Sequence, residues 1–128
     1  MSNQARDLMK KLSGIDREEK KYLQALWTLH LGLERAISNC DLEIAKTCID
    51  ASQNVLDSFE EFITEHIELY EPLATFKLGK DIVVYTTILF LFSKTLEQKK
   101  IPQDLEKAGN VLASITRIIL GEEDEETN

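Results

Sequence analysis

An eleven-residue run without a charged side chain, Ile82 to Phe92, is the feature that most constrains the fold of this chain. A membrane-spanning helix needs about 20 consecutive apolar residues, so the run is too short to cross a bilayer. Its β-branched and aromatic residues would also suit a buried strand. The chain has no second strand candidate, however, and an unpaired buried strand would leave its backbone groups without hydrogen bonds. The run therefore predicts a helix from about Asp81 to Gln98, apolar nearly all round because other helices surround it.

Hydrophobic residues recur at helical spacing in the rest of the chain as well. Asp16 can cap the first long helix, with Glu19 three residues later as its capping-box partner. Residues 73–78 form a helical lead-in, and Gly79 with Asp81 offers a break and a cap before the central run. The pattern predicts a short helix over residues 5–12 and four main helices over about 16–38, 42–70, 81–98 and 102–120.

Five glycines and two prolines in 128 residues favour long regular elements over many turns. A chain of this length has the size of one domain and can bury a core without disulfides or metals. We expect an all-α, four-helix-bundle-like single domain over residues 1–121, with a short extra N-terminal helix. The acidic residues 122–128 cannot contribute to a core, so we expect them to form a disordered tail.

The formal net charge of −8 is concentrated in two acidic segments. Residues 41–71 contain nine acidic residues and one lysine, and the tail contains five acidic residues and no basic one. An acidic surface repels nucleic-acid phosphates and anionic lipids, so we expect neither direct nucleic-acid binding nor membrane binding, and we expect a basic protein partner. The alternative is a solvated face that basic side chains of neighbouring helices neutralise, namely Lys77, Lys80, Lys94 or Arg35.

The candidate partner-binding residues are acidic side chains of the second main helix, those of the tail, and the single tryptophan. Trp27 lies off the buried stripe of its helix, so it either widens the buried face or stands exposed as an aromatic contact. The predicted contacts are Trp27, Asp50, Asp57, Glu60, Glu61, Glu65, Glu68, Glu122, Glu123, Asp124, Glu125 and Glu126.

The sequence contains no pattern typical of a catalytic, metal or phosphate site. His30 and His66 fall on the core stripes of different helices and could face each other. Carboxylate-bridged metal bundles carry Glu-x-x-His, however, and here Trp27 and Ile63 occupy the glutamate positions. The two cysteines lack CxxC spacing and are interpreted as reduced thiols, and the glycines are too isolated to form a phosphate loop. We therefore predict no enzyme activity, no metal and no cofactor.

These features predict a non-enzymatic protein–protein interaction module: an adaptor, a chaperone or a small subunit of a complex. It would present an acidic helix face or an apolar helical groove to another protein. One alternative is an accessory subunit of a nucleic-acid-processing complex (polymerase, nuclease or helicase) that acts through protein contacts and its acidic tail. Another is a metal- or small-ligand-binding helical bundle that uses the two histidines.

Two further expectations concern assembly and location. A homodimer is expected if the other helices leave the central apolar run partly uncovered. The N-terminal residues 1–11 lack the apolar segment of a secretory signal, so we expect a cytoplasmic protein.

Overall fold

The computed structural model describes residues 3–122, and these residues are almost entirely helical and contain no strand. The predicted all-α class is confirmed. A single turn of 3₁₀ helix over Ile67–Leu69 lies between the third and fourth helices. The helices are α1 (Asn3–Ser13), α2 (Glu19–Ser38), α3 (Leu42–Glu65), α4 (Pro72–Glu97) and α5 (Leu105–Leu120).

Local sequence signals account for several of the helix ends. The Asp41 carboxylate accepts a hydrogen bond from the N–H of Ile44 at 3.2 Å and so caps α3. Pro72 occupies the first turn of α4, where its missing N–H costs no helical hydrogen bond. Gly121 ends α5 in a left-handed conformation, with φ of 78°. The α5 helix begins at Leu105 and not at the predicted Pro102.

The four long helices pack as a closed ring. Each of α2, α3 and α4 contacts the next helix along the chain, and α5 closes the ring by contacting α2. The short helix α1 packs across α2 and α5. One cluster of buried apolar side chains runs through the bundle and includes residues of all five α-helices. The largest fully buried side chains are Trp27, Phe59 and Tyr85.

The predictions for the apolar run were wrong in two respects. First, Gly79 and Asp81 do not break or cap a helix, because α4 continues unbroken through both. The Asp81 carboxylate instead accepts a hydrogen bond from Oγ of Ser114 on α5, at 2.5 Å. Second, α4 is not surrounded: it packs chiefly against α3 and α5, and Val83 and Phe90 are exposed. Two other helices, α2 and α5, each have three neighbouring helices.

The predicted capping box at the start of α2 was also wrong, because α2 begins at Glu19 itself. The Glu19 side chain is 1% exposed and accepts two hydrogen bonds at 2.5 Å, one from Arg17 and one from the Tyr70 hydroxyl. Arg17 also donates to the backbone carbonyl of Ile119 at 2.9 Å. This cluster around the buried Glu19 joins the start of α2 to the segment before α4 and to the end of α5.

Trp27 takes the first of its two predicted alternatives and widens the buried face of α2. The side chain is 1% exposed, and its indole N–H donates to Oγ1 of Thr116 at 2.9 Å. Thr116 in turn donates to the carbonyl of Leu112 at 2.8 Å. Both polar groups of this α2–α5 contact are therefore satisfied away from water.

Replacing Thr116 by valine tests the α2–α5 contact. The substitution keeps the shape of the side chain but leaves the buried indole N–H of Trp27 without an acceptor, which costs about 1–3 kcal/mol. We expect urea unfolding to show a loss of this size for Thr116→Val. The matched control is Thr47→Val, whose hydroxyl bonds only to the Glu43 carbonyl on an exposed face; we expect it to cost less than about 0.5 kcal/mol. Equal losses would contradict the proposed role of the indole bond.

Alkaline pH should destabilise the fold through two tyrosines. Burial raises the pKa of Tyr85, and burial followed by the hydrogen bond to Glu19 raises the pKa of Tyr70. The stability that the neutral hydroxyls contribute is complete below the usual tyrosine pKa of about 10 and falls as the pH rises above it, because the unfolded chain then releases these protons first. We expect Tyr85→Phe and Tyr70→Phe each to flatten the decline of the unfolding free energy between about pH 9 and pH 12. A decline as steep as that of the wild type would contradict this assignment.

Candidate functional site

The acidic face consists of Asp50, Asp57, Glu60, Glu61 and Glu65 on α3, with Glu68 in the 3₁₀ turn that follows. All six side chains are exposed. Asp50, Asp57, Glu61 and Glu65 follow at spacings of seven, four and four, which places them along one side of the helix.

No ion pair within residues 3–122 neutralises the acidic face. The basic side chains considered from the sequence do not reach it directly, and Lys94 lies instead 3.8 Å from a carboxylate oxygen of Glu97 on its own helix. Like charges at helical spacings of three or four cost a few tenths of a kcal/mol each. Within the described residues, the acidic face is therefore a negative surface without ion pairs.

Apolar side chains cover the outer side of the neighbouring helix α4. Phe76, Val83 and Phe90 are spaced by seven residues and are 70%, 61% and 52% exposed. Leu73 and Leu91 are exposed beside them. We call these five residues the apolar face of α4. The sequence analysis predicted that other helices surround the central run, and it considered partial exposure of the run only as the condition for a homodimer.

Two lysines lie on the exposed side of α4, at positions 80 and 94. Lys94 Nζ lies 5.3 Å from the centre of the Phe90 ring, close enough for a cation–π contact. The outer surface of α4 is thus apolar with isolated positive charges, whereas that of α3 is negative. Because α3 and α4 pack against each other, the two faces belong to adjacent helices.

An apolar notch continues the α4 surface toward α5. It has a volume of about 260 Å³, and Ile88, Leu91, Phe92 and Ile101 form its apolar wall. Leu91 and Ile101 are themselves exposed at its rim. The notch is large enough to receive one apolar side chain from a partner.

The structure separates Glu122 from the other acidic residues predicted in the tail. Its backbone N–H donates to the carbonyl of Arg117 at 2.8 Å, and its carboxylate pairs with Nζ of Lys11 at 3.1 Å. Glu122 therefore belongs to the folded part of the chain. Residues 123–126, with their four predicted contacts, lie outside the described residues.

The two histidines do not form a shared site. His66 stacks on Phe62 at the end of α3, with ring centres 4.2 Å apart, and its Nδ1 lies 2.9 Å from the carbonyl of Phe62. His30 is buried in the middle of α2, and its ring is nearly perpendicular to that of Trp27, with the ring centres 5.9 Å apart. Among residues 3–122, no three histidine, cysteine, aspartate or glutamate side chains are arranged to hold a metal ion.

Comparison with other proteins gives no relative from which a function could be transferred. No protein-family model, curated protein or solved structure matches this chain. Within the described part of the chain, no helix has the length and apolarity required to span a bilayer.

If the apolar face of α4 is solvent-exposed, polar substitutions there should leave the fold intact. We expect Phe76→Gln and Val83→Gln to change the unfolding free energy by less than about 0.5 kcal/mol each, because glutamine is a good helix former and neither side chain packs in the core. The contrasting variant is Phe59→Ala in the core, for which a loss of about 3–5 kcal/mol is expected. A loss near 3 kcal/mol for either glutamine variant would show that the face is covered within the chain.

Proposed function

We propose that this chain is a non-enzymatic protein-binding module that holds a basic amphipathic helix of a partner protein against α3 and α4. The observation that carries the proposal is the juxtaposition of the acidic face with the apolar face of α4 on two packed helices. Helix-in-groove recognition uses this combination, with apolar anchors spaced at three, four and seven residues and charges beside them.

The apolar face would supply most of the binding free energy. Burying one large apolar side chain contributes about 1.5–3 kcal/mol, and Phe76, Val83 and Phe90 are each more than half exposed. Aromatic side chains in the centre of an interface are frequent hot spots, where a few residues dominate the affinity. A partner helix with apolar residues at spacings of three and four would cover this row.

The acidic face determines the charge of the partner. Its carboxylates have no basic partner in the described chain, so lysine or arginine side chains of a bound helix can pair with them without breaking existing ion pairs. Such complementary charges accelerate association and select the orientation of the partner, and salt weakens them. Lys80 and Lys94 on α4 disfavour basic residues on that side, so the basic edge of the partner helix should face α3.

The other functions predicted from the sequence gain no support from the described residues. The acidic residues at 123–126, on which the accessory-subunit hypothesis depends, lie outside them. The two histidines have separate neighbours, and residues 3–122 contain no assembled donor set for the metal-binding bundle.

The test begins with affinity purification of the full chain from its native cell, followed by cross-linking to identify the bound segment of the partner. The binding free energy of a peptide with that segment's sequence is then measured by calorimetry at two salt concentrations. We expect a basic amphipathic helix. Phe76→Gln with Val83→Gln should weaken binding at least tenfold at both salt concentrations, whereas Asp57→Lys with Glu61→Lys should weaken it mainly at low salt.

A matched control is Asp7→Lys on α1, an exposed acidic residue away from both faces. We expect it to leave the affinity within a factor of about two. Binding that survives both double substitutions would overturn the proposal, and so would a bound segment that is acidic or not helical. A self-associated dimer in sedimentation that Phe76→Gln with Val83→Gln dissociates would also overturn it, since the occupant would then be a second copy.

A further inference from the structure

The exposed side of α4 carries a coiled-coil pattern in addition to its apolar residues. Exposed positions follow one another at alternating spacings of three and four residues from Leu73 to Lys94. This is the heptad spacing of a coiled-coil seam, and it extends for about 30 Å along the helix. We call these residues the outer seam of α4: Leu73, Phe76, Lys80, Val83, Thr87, Phe90 and Lys94.

The two rows of the outer seam differ in chemistry. One row is apolar and consists of Phe76, Val83 and Phe90. The other row places Lys80 and Lys94 14 residues apart, which is two heptads. Because the two rows alternate along one stripe, a helix that covers the apolar row also covers the two lysines.

Both lysines are available to a partner. Nζ of Lys94 lies 5.3 Å from the centre of the Phe90 ring, which places its charge over the seam. It also lies 3.8 Å from a carboxylate oxygen of Glu97, but the two side chains are 55% and 52% exposed, and such a surface pair contributes little. Lys80 forms no ion pair with any residue of 3–122.

Covering the two lysines is costly unless the partner supplies a counter-charge. An ammonium group that is removed from water without a carboxylate beside it loses its hydration and gains nothing in return. A partner with an acidic residue opposite each lysine avoids this loss. Because two heptads separate Lys80 from Lys94, the two facing residues are also two heptads apart, whichever way the partner helix runs.

Thr87, midway between the lysines, makes no such demand. Its hydroxyl donates to the carbonyl of Val83 at 2.9 Å, so the group stays hydrogen-bonded when the seam is covered. The seam therefore requires a charged residue of the partner at two positions and accepts apolar residues at the others.

A second copy of the chain does not meet this requirement. The outer seam contains no acidic residue. In a parallel pair of α4 helices Lys80 would face Lys80 and Lys94 would face Lys94, and in an antiparallel pair each lysine would face the apolar row. Lysines at seam positions thus act against self-association and favour a partner of complementary sequence.

We propose that Lys80 and Lys94 set the register of the partner helix by pairing with two acidic residues that lie 14 residues apart on its apolar seam. This inference rests on the proposed function and adds a sequence pattern for the partner. The partner helix has apolar heptads, acidic residues at two seam positions, and its basic edge toward the acidic face of α3.

Two synthetic helical peptides of identical composition and net charge test the register. Both carry leucine heptads and lysines along one edge. In the first peptide two glutamates lie 14 residues apart on the leucine seam and two glutamines lie on the opposite side; in the second peptide the glutamates and glutamines exchange places. Circular dichroism checks that both are helical. We expect calorimetry with the full chain to show at least tenfold tighter binding of the first peptide.

Two double variants with the same change in net charge show whether the seam lysines cause this preference. Lys80→Glu with Lys94→Glu should abolish it, because the glutamates of the first peptide would then face like charges. Lys10→Glu with Lys21→Glu, at exposed positions of α1 and α2, should preserve it within a factor of about two. Circular dichroism and thermal unfolding check that both variants fold.

The outcomes separate this inference from the proposed function. Equal binding of the two peptides, no binding of either, or a preference that survives Lys80→Glu with Lys94→Glu would each overturn the register. The proposed function fails separately, if the partner's own segment binds Phe76→Gln with Val83→Gln as tightly as the wild type.

Discussion

A helix in a four-membered ring can bury only the part of its circumference that its two neighbours cover. This constraint determines which side chains of α4 are exposed to solvent. The helix packs against α3 and α5, yet apolar residues occupy its outer side as well as its core side. Phe76, Val83 and Phe90 are therefore left in solvent, beside a helix whose own outer side is negative. The arrangement of the bundle thus exposes part of an apolar segment that looks like a core element in the sequence.

The helical class could be predicted from the sequence because periodicity and capping residues act locally, as the Asp41 cap and the Gly121 terminus show. The number of neighbours around a helix is a tertiary property, so the exposure of Val83 could not be read from its own segment. The same limit explains Glu19. Its spacing from Asp16 fits a capping box, but its carboxylate pairs with Arg17 and with Tyr70, and the distant Tyr70 comes into reach only when the bundle closes.

The two buried polar side chains of α2 illustrate different outcomes of burial. Glu19 has its carboxylate oxygen satisfied by two donors, so it contributes to holding the helix ends together. His30 lies in an equally buried position without a hydrogen bond to Nδ1, beside a glycine that leaves it room. Fully satisfied buried polar groups rigidify a fold, whereas an unsatisfied one costs free energy. The sequence placed both residues on buried or capping positions but could not distinguish these outcomes.

The central claim is that the apolar face of α4 is open in the free chain and covered by the helix of a partner. Hydroxyl-radical footprinting of aromatic side chains tests it most directly, because the rate of oxidation follows solvent exposure. The account predicts that Phe76 and Phe90 are oxidised rapidly in the free protein and protected in the complex, while the buried Phe59 is unreactive in both. Phe76 and Phe90 that are protected in the free monomer, or that stay equally reactive in the complex, would contradict it.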